Sequence, residues 1–118
     1  MPIVDIHWAG ALPPAADELA YHLADVIGDV LGLDPGRVWV RLNVIGHYAE
    51  NGGPPEGEPP VFVHILHARP PVGEALKAEV AALTAAVAQA AGRPAHRVHL
   101  EYAAPGAGRV AFGGRLVE

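Results

Sequence analysis

The side chains best suited to chemistry in this sequence are seven histidines, seven arginines and a set of aromatics, with no cysteine and no serine at all. Without cysteine there is no thiol nucleophile, no disulfide framework and no thiolate metal site. Without serine there is no serine-hydrolase nucleophile. The pairs His64-x-x-His67 and His96-x-x-His99 have a spacing that invites a metal. Both fall in strand-like runs, where residues three apart point to opposite faces, so neither pair is expected to chelate one ion. Gly106-Ala-Gly108 is not followed by a helix and so lacks the amide-lined terminus a phosphate loop needs. Arg69, in a loop after a strand, offers a planar guanidinium able to hold a carboxylate bidentately. Trp39, Tyr48, Tyr102 and Phe112 are candidates to wall an apolar pocket.

These residues must be positioned by one small domain. The chain has 118 residues, 51% of them apolar and 18% charged, with a net charge of -5. That length supports a single core, and the composition excludes disorder. The acidic balance argues against nucleic acid as a partner, and no apolar run reaches the roughly 20 residues of a membrane span. Met1-Pro-Ile-Val-Asp5 has no basic start of a secretory signal, so a cytoplasmic protein is expected.

The order of elements repeats at about half the chain length. Pro2-Ile-Val-Asp-Ile-His-Trp8 and Pro59-Pro-Val-Phe-Val-His-Ile-Leu66 are short β-branched runs, each followed by a proline pair, Pro13-Pro14 or Pro70-Pro71, at a helix N-terminus. A first helix is expected over residues 15–31, with Leu19, Leu23, Val26, Ile27 and Val30 on one stripe and Gly32 as its stop. A second is expected over 72–91, with Leu76, Val80, Leu83 and Val87 on one face and alanine filling much of the rest. Each helix leads to another strand, 37–44 and 97–102, in which Val38, Val40, Leu42, Val44, Val98, Leu100 and Tyr102 alternate toward the helices. Asn51-Gly-Gly53 and Gly113-Gly114 are hairpin cues.

The expected fold is therefore α+β: two tandem βαβ units, 1–53 and 59–118, joined by a stiff proline-rich linker at 54–58. Together they form a four-stranded sheet with two helices on one face. The other face then carries Asp5, His7, Trp39, Arg41, Asn43, His99 and Glu101, a mixed polar and aromatic set suited to a subunit interface. The same order of elements is compatible with a ferredoxin-like ligand-binding module if another strand separates the two strands of each half.

The opening Pro2-Ile-Val-Asp-Ile-His-Trp8, the His64-Ile-Leu-His-Ala-Arg69 segment, the strands after each helix and the terminal Gly-Gly hairpin together resemble the tautomerase superfamily, in particular its 4-oxalocrotonate tautomerase-like branch. The resemblance spans nearly the whole chain. It lies in the order and recurrence of short motifs. It implies a tautomerase/MIF-like fold, a cofactor-free tautomerase acting on a small carboxylic acid, and a homotrimer of fused two-unit chains.

It also implies that Pro2, exposed by loss of Met1, is the general base. A terminal prolyl amine titrates near neutral pH once burial and nearby cations disfavour its charged form. With Met1 attached, that nitrogen is an amide without basicity. Arg69 falls at the place of the substrate-binding arginine, whereas the first half has Leu12 there. Where members often carry a second arginine, this chain has Trp39 and His99, with Arg41 or Arg109 as substitutes, and the usual dicarboxylate substrate does not follow. Tyr48, Trp39 and Phe112 are expected walls, some supplied by neighbouring subunits. Arg69-Pro70 and Phe112-Gly-Gly-Arg115 also resemble the malonate semialdehyde decarboxylase and cis-3-chloroacrylic acid dehalogenase branches, in which the same proline acts as an acid.

Overall fold

The structure, a computed structural model, describes residues 1–53 and 56–118. Pro54 and Pro55 of the expected linker lie outside the described residues, and Glu56, Gly57 and Glu58 are exposed. Strand β1 (Ile3–Ala9) leads to helix α1 (Ala16–Leu31) and strand β2 (Trp39–Ile45). Strand β3 (Val61–Leu66) leads to helix α2 (Gly73–Ala91), a single 3-10 turn and strand β4 (Val98–Tyr102). Two short strands, β5 (Ala111–Phe112) and β6 (Arg115–Leu116), close the chain as a hairpin.

The four long strands form one sheet in the order β2-β1-β3-β4. β1 is parallel to β2, β3 is parallel to β4, and the two halves join through antiparallel β1 and β3, with Ile3 opposite Leu66 and Trp8 opposite Val61. The two strands of each half pair directly, with no strand between them. This is the direct pairing expected of two tandem βαβ units and departs from the ferredoxin-like order.

Alternation decides what each strand buries. Val4, Ile6 and Trp8 of β1 and Val61, Val63 and Ile65 of β3 point to the helices and are buried, meeting Leu23 and Ile27 of α1 and Leu83 and Val87 of α2. Full burial of such side chains contributes roughly 1.5–3 kcal/mol each before entropy is counted. Each helix ends at a glycine in the left-handed region, Gly32 (φ 65°) or Gly92 (φ 66°), whose amide and that of the next residue, Leu33 or Arg93, donate to the last carbonyls. Among the described residues no helix packs on the opposite sheet face, which Phe112 of the terminal hairpin meets at Trp39. That face carries Asp5, His7, Trp39, Arg41, Asn43, His99 and Glu101, as the alternation requires.

Three expectations need correction. The proline pairs sit in the loops, two residues before the helices, and not at their first turns; the residues before the helices are Ala15, itself left-handed at φ 63°, and Val72. Asn51-Gly-Gly53 makes only an isolated bridge between Glu50 and Gly53, because a proline-rich stretch follows it and no strand returns. Val44 alternates toward the helix side yet is 53% exposed. It lies opposite Trp8 near the end of β2, and α1 begins only after a six-residue loop, leaving that end of the strand uncovered. The second hairpin cue forms a hairpin, with Gly113 (φ 57°) and Gly114 (φ 86°) both left-handed between β5 and β6. Among the described residues no helix is long and apolar enough to cross a membrane.

Candidate active site

An open cleft of about 430 Å³ lies where the start of β1 meets the end of β3, lined by Met1, Pro2, Leu33, His67, Arg69 and Glu79 among others. The antiparallel register that puts Ile3 opposite Leu66 is what brings Pro2 and the His67–Arg69 segment together. Pro2 is fully buried, and its carbonyl accepts the Trp39 amide at 3.2 Å, which ties the first residues to the start of β2. The chain returning from β4 braces the segment that carries His67 and Arg69. Ala103 N–H donates to Ile65 O (2.9 Å), Gly106 N–H to His67 O (2.8 Å) and Ala107 N–H to Ala68 O (3.1 Å). Gly106 is buried, and the thioether end of Met1 occupies the space that a side chain at Gly106 would need.

The cleft also holds a largely buried carboxylate. Glu79 Oε2 accepts the Tyr102 hydroxyl at 2.7 Å and lies 2.9 Å from His67 Nε2. Both the His67 and Glu79 side chains are about seven-eighths buried, at 13% and 15% exposure. The His67 and Tyr102 rings stack with centroids 6.0 Å apart and 20° between planes. Burial, and then the hydrogen bond to Glu79, push the Tyr102 phenol well above its ordinary range, so it stays a neutral donor. Arg69 is exposed at the mouth and has no side-chain hydrogen bond or ion pair among the described residues, leaving its guanidinium open to an incoming anion.

Of the residues expected to form the site, Pro2 and Arg69 line this cleft and Tyr102 reaches it through its bond to Glu79, while His67, noted in the sequence only as half of a metal-like pair, also lines it. Trp39 packs edge-on against Phe112 (5.0 Å, 78°) beside the start of β1. Trp39 pairs with Ile3 and therefore lies on the sheet face opposite the helices, away from the Pro2 ring. Tyr48 and His99 flank Phe62, at 6.0 and 5.4 Å between centroids. Phe62 is opposite His7, four residues along β1 from Ile3, so this cluster stands roughly 13 Å from the Pro2 end of the sheet. There the Tyr48 hydroxyl donates to Glu50 at 2.5 Å, and Arg97 donates to the same carboxylate oxygen at 2.9 Å. Arg109 and Arg115 are exposed, in the approach to the terminal hairpin and in the hairpin itself, and Arg41 is held by Asp5 through two bonds of 2.5 and 2.9 Å. None of these arginines lines the cleft.

His67 and Glu79 are the components that sequence reasoning missed. A signal for Glu79 was present: it is three residues after Leu76 and four before Leu83, so a charged side chain sits on the apolar stripe of α2. A carboxylate at such a position calls for buried donors, and His67 and Tyr102 supply them.

This two-layer arrangement is the tautomerase/MIF fold. No protein-family model matches the sequence, and no curated protein matches it. Similarity appears in solved structures. Pt0534, in a form inactivated by 2-oxo-3-pentynoate, superposes with a TM-score of 0.77 at 22% identity, covering 98% of this chain and 95% of that one. A fused 4-OT, a wild-type symmetric trimer, gives 0.73 at 19% identity over 98% and 94%. A macrophage migration inhibitory factor homologue from Prochlorococcus marinus gives 0.76 at 17% over 98% and 99%. At these identities the likeness establishes the fold across the whole chain.

Proposed function

We propose that the protein is a cofactor-independent tautomerase of small carboxylic acids, with Pro2, freed of Met1, as general base and Arg69 as the carboxylate anchor. The observation that carries this reading is that Pro2 and an unpaired arginine from the other half of the chain line one cleft in a fold shared with fused 4-OT. Arg69 fixes the acid, the neutral prolyl amine takes a proton from the carbon next to the carbonyl, and the ammonium returns it at another position. The guanidinium offsets charge that develops on the enolate, the effect expected to contribute most to rate. Burial around Pro2 lowers the affinity of its amine for a proton and suits it to act as a base near neutral pH.

The functional unit is a homotrimer of chains built from the duplicated units 1–53 and 59–118. Two edge strands, β2 and β4, and a face opposite the helices bearing Trp39 at 53% exposure favour association. Assembly would bring Trp39, Tyr48, His99, Arg109, Phe112 and Arg115 to the clefts of neighbouring subunits, where the aromatics become walls and the arginines supplementary cations. The protein acts in the cytoplasm on a small acid, without nucleic acid or membrane as a partner.

Glu79 favours a second reading. A carboxylate in the cleft stabilises a protonated Pro2, which then serves as the acid in hydration, decarboxylation or dehalogenation of a three-carbon acid.

The test joins intact mass with catalysis. Purified protein should lack Met1, and ultraviolet assay of enol-to-keto conversion should show a loss on the order of a hundredfold or more in Pro2→Ala. Because 2-oxo-3-pentynoate inactivates Pt0534, the same reagent should add its mass to the Pro2 peptide here. Equal rates in wild type and Pro2→Ala, with Met1 gone from both, refute the role of Pro2. Product analysis separates isomerisation from hydration or decarboxylation.

A further inference from the structure

We infer that Glu79 makes the cleft selective for acids with a single carboxylate and rejects those with a second one. The inference rests on the reading that Arg69 holds the substrate carboxylate. Among the described residues that line the cleft, Arg69 at its mouth is the guanidinium or ammonium side chain and Glu79 the carboxylate, with His67 bonded to Glu79. Leu31, Leu33 and Pro71 are among the rest of the lining and give a second anion nothing to pair with. His67 Nε2 is engaged by Glu79 at 2.9 Å and offers a ligand no donor through that atom. Tyr102 is committed to the same oxygen at 2.7 Å. Glu79 Oε1 accepts no hydrogen bond among the described residues and is the acceptor left for a ligand. A ligand anchored at Arg69 and extending along the cleft to Glu79 meets there an oxygen that can only accept. A hydroxyl or enol donates to it, a neutral tail packs on the leucines, and a carboxylate meets a like charge.

Position makes this repulsion effective. The Glu79 side chain is only 15% exposed, so water and salt screen it less than a surface acid. Two carboxylates forced together at such a place weaken binding by about ten- to a hundredfold. The carboxylate is also held in place by two donors from different segments, Tyr102 of β4 and His67 of the loop after β3, so it cannot easily swing away to admit a second anion.

Calorimetry on the mature full-length protein tests the idea with a matched pair of 2-oxo acids. One is 2-oxoglutarate. The other is 5-methyl-2-oxohexanoate, whose neutral isopropyl group replaces the distal carboxylate. Wild type should bind the monocarboxylate at least about tenfold more tightly, and Glu79→Gln should bring the two within about threefold, chiefly by improving the dicarboxylate. Equal or tighter binding of 2-oxoglutarate by wild type overturns the inference, as does an unchanged ratio in Glu79→Gln or failure to bind either acid. If Glu79→Gln does not fold, the 5-methyl ester of 2-oxoglutarate decides on wild type: charge repulsion predicts that the ester binds more tightly than 2-oxoglutarate, and equal or weaker binding overturns the inference. Repeating the wild-type comparison in Pro2→Ala keeps the two readings apart. A preserved preference together with undiminished turnover removes the general-base proposal and leaves the role of Glu79 standing.

Discussion

The Arg93 guanidinium lies 4.3 Å from the centroid of the Trp8 ring, nearly sealed from solvent at 9% exposure. It donates to the carbonyls of Pro59, Pro60 (3.4 Å) and Ala9 (3.0 Å), where the end of β1 meets the start of β3. Burial draws the guanidinium below its ordinary value, with the Glu58 charge opposing that trend. The position after the glycine stop of α1 is Leu33, a cleft residue, and the matching position after α2 is Arg93. Comparable junctions of the two halves are thus filled in opposite ways, one open and one closed by a stacked cation.

Arg93→Leu, which copies the first half, removes the guanidinium donor from three carbonyls, of which Pro60 O keeps the Ala9 amide at 3.2 Å. The expected loss is about 2–4 kcal/mol, or roughly 10 °C in melting temperature. Thermal denaturation at matched protein concentration checks this, since any oligomer makes the midpoint depend on concentration. A shift below about 2 °C would show that the guanidinium adds little beyond filling space.

Stability should fall in acid through Glu50. The Tyr48 hydroxyl, and after it Arg97, hold this carboxyl below its ordinary value of 4.5. The unfolded chain then takes up the proton first, so the contribution is present above about pH 4.5 and disappears as pH falls through the lower folded value. Melting curves between pH 3 and 6 should show a flatter acid limb in Glu50→Gln than in wild type. Identical slopes would remove Glu50 from the acid response.

The terminal hairpin depends on Gly114, whose φ of 86° disfavours any residue with a Cβ. Gly114→Ala should cost roughly 1 kcal/mol locally. The sensitive readout is hydrogen exchange at Val117, whose amide donates to Val110 O at 2.8 Å. About fivefold faster exchange is expected there, with little change at Val63 or Ile6 in the core. Unaltered exchange at Val117 would mean that the turn tolerates the side chain.

What could be read from the sequence followed local periodicity. Leu23 and Ile27 on α1, and alternate residues of β1 and β3, needed only their spacing to be assigned to one face. The joining of β1 to β2 and β3 to β4 followed from the helix crossovers. Glu79 was hidden because its partners are 12 and 23 residues away and meet it only after β3, α2 and β4 have packed. Tyr48 and His99 were grouped with Pro2 through family resemblance, yet in one chain the sheet holds them at its other end, a separation that no single strand or helix encodes. Val44 shows the limit of alternation, which fixes the face but not where the covering helix stops.

The closure by Arg93 sets a direction on the polypeptide. A circular permutant opened before Pro59, with the present termini joined, would place a new prolyl amine at the end of the sheet where the arginine already occupies the carbonyl cage. Such a chain can retain its layers and still be inert, because the useful vestibule belongs to the half whose helix ends in leucine.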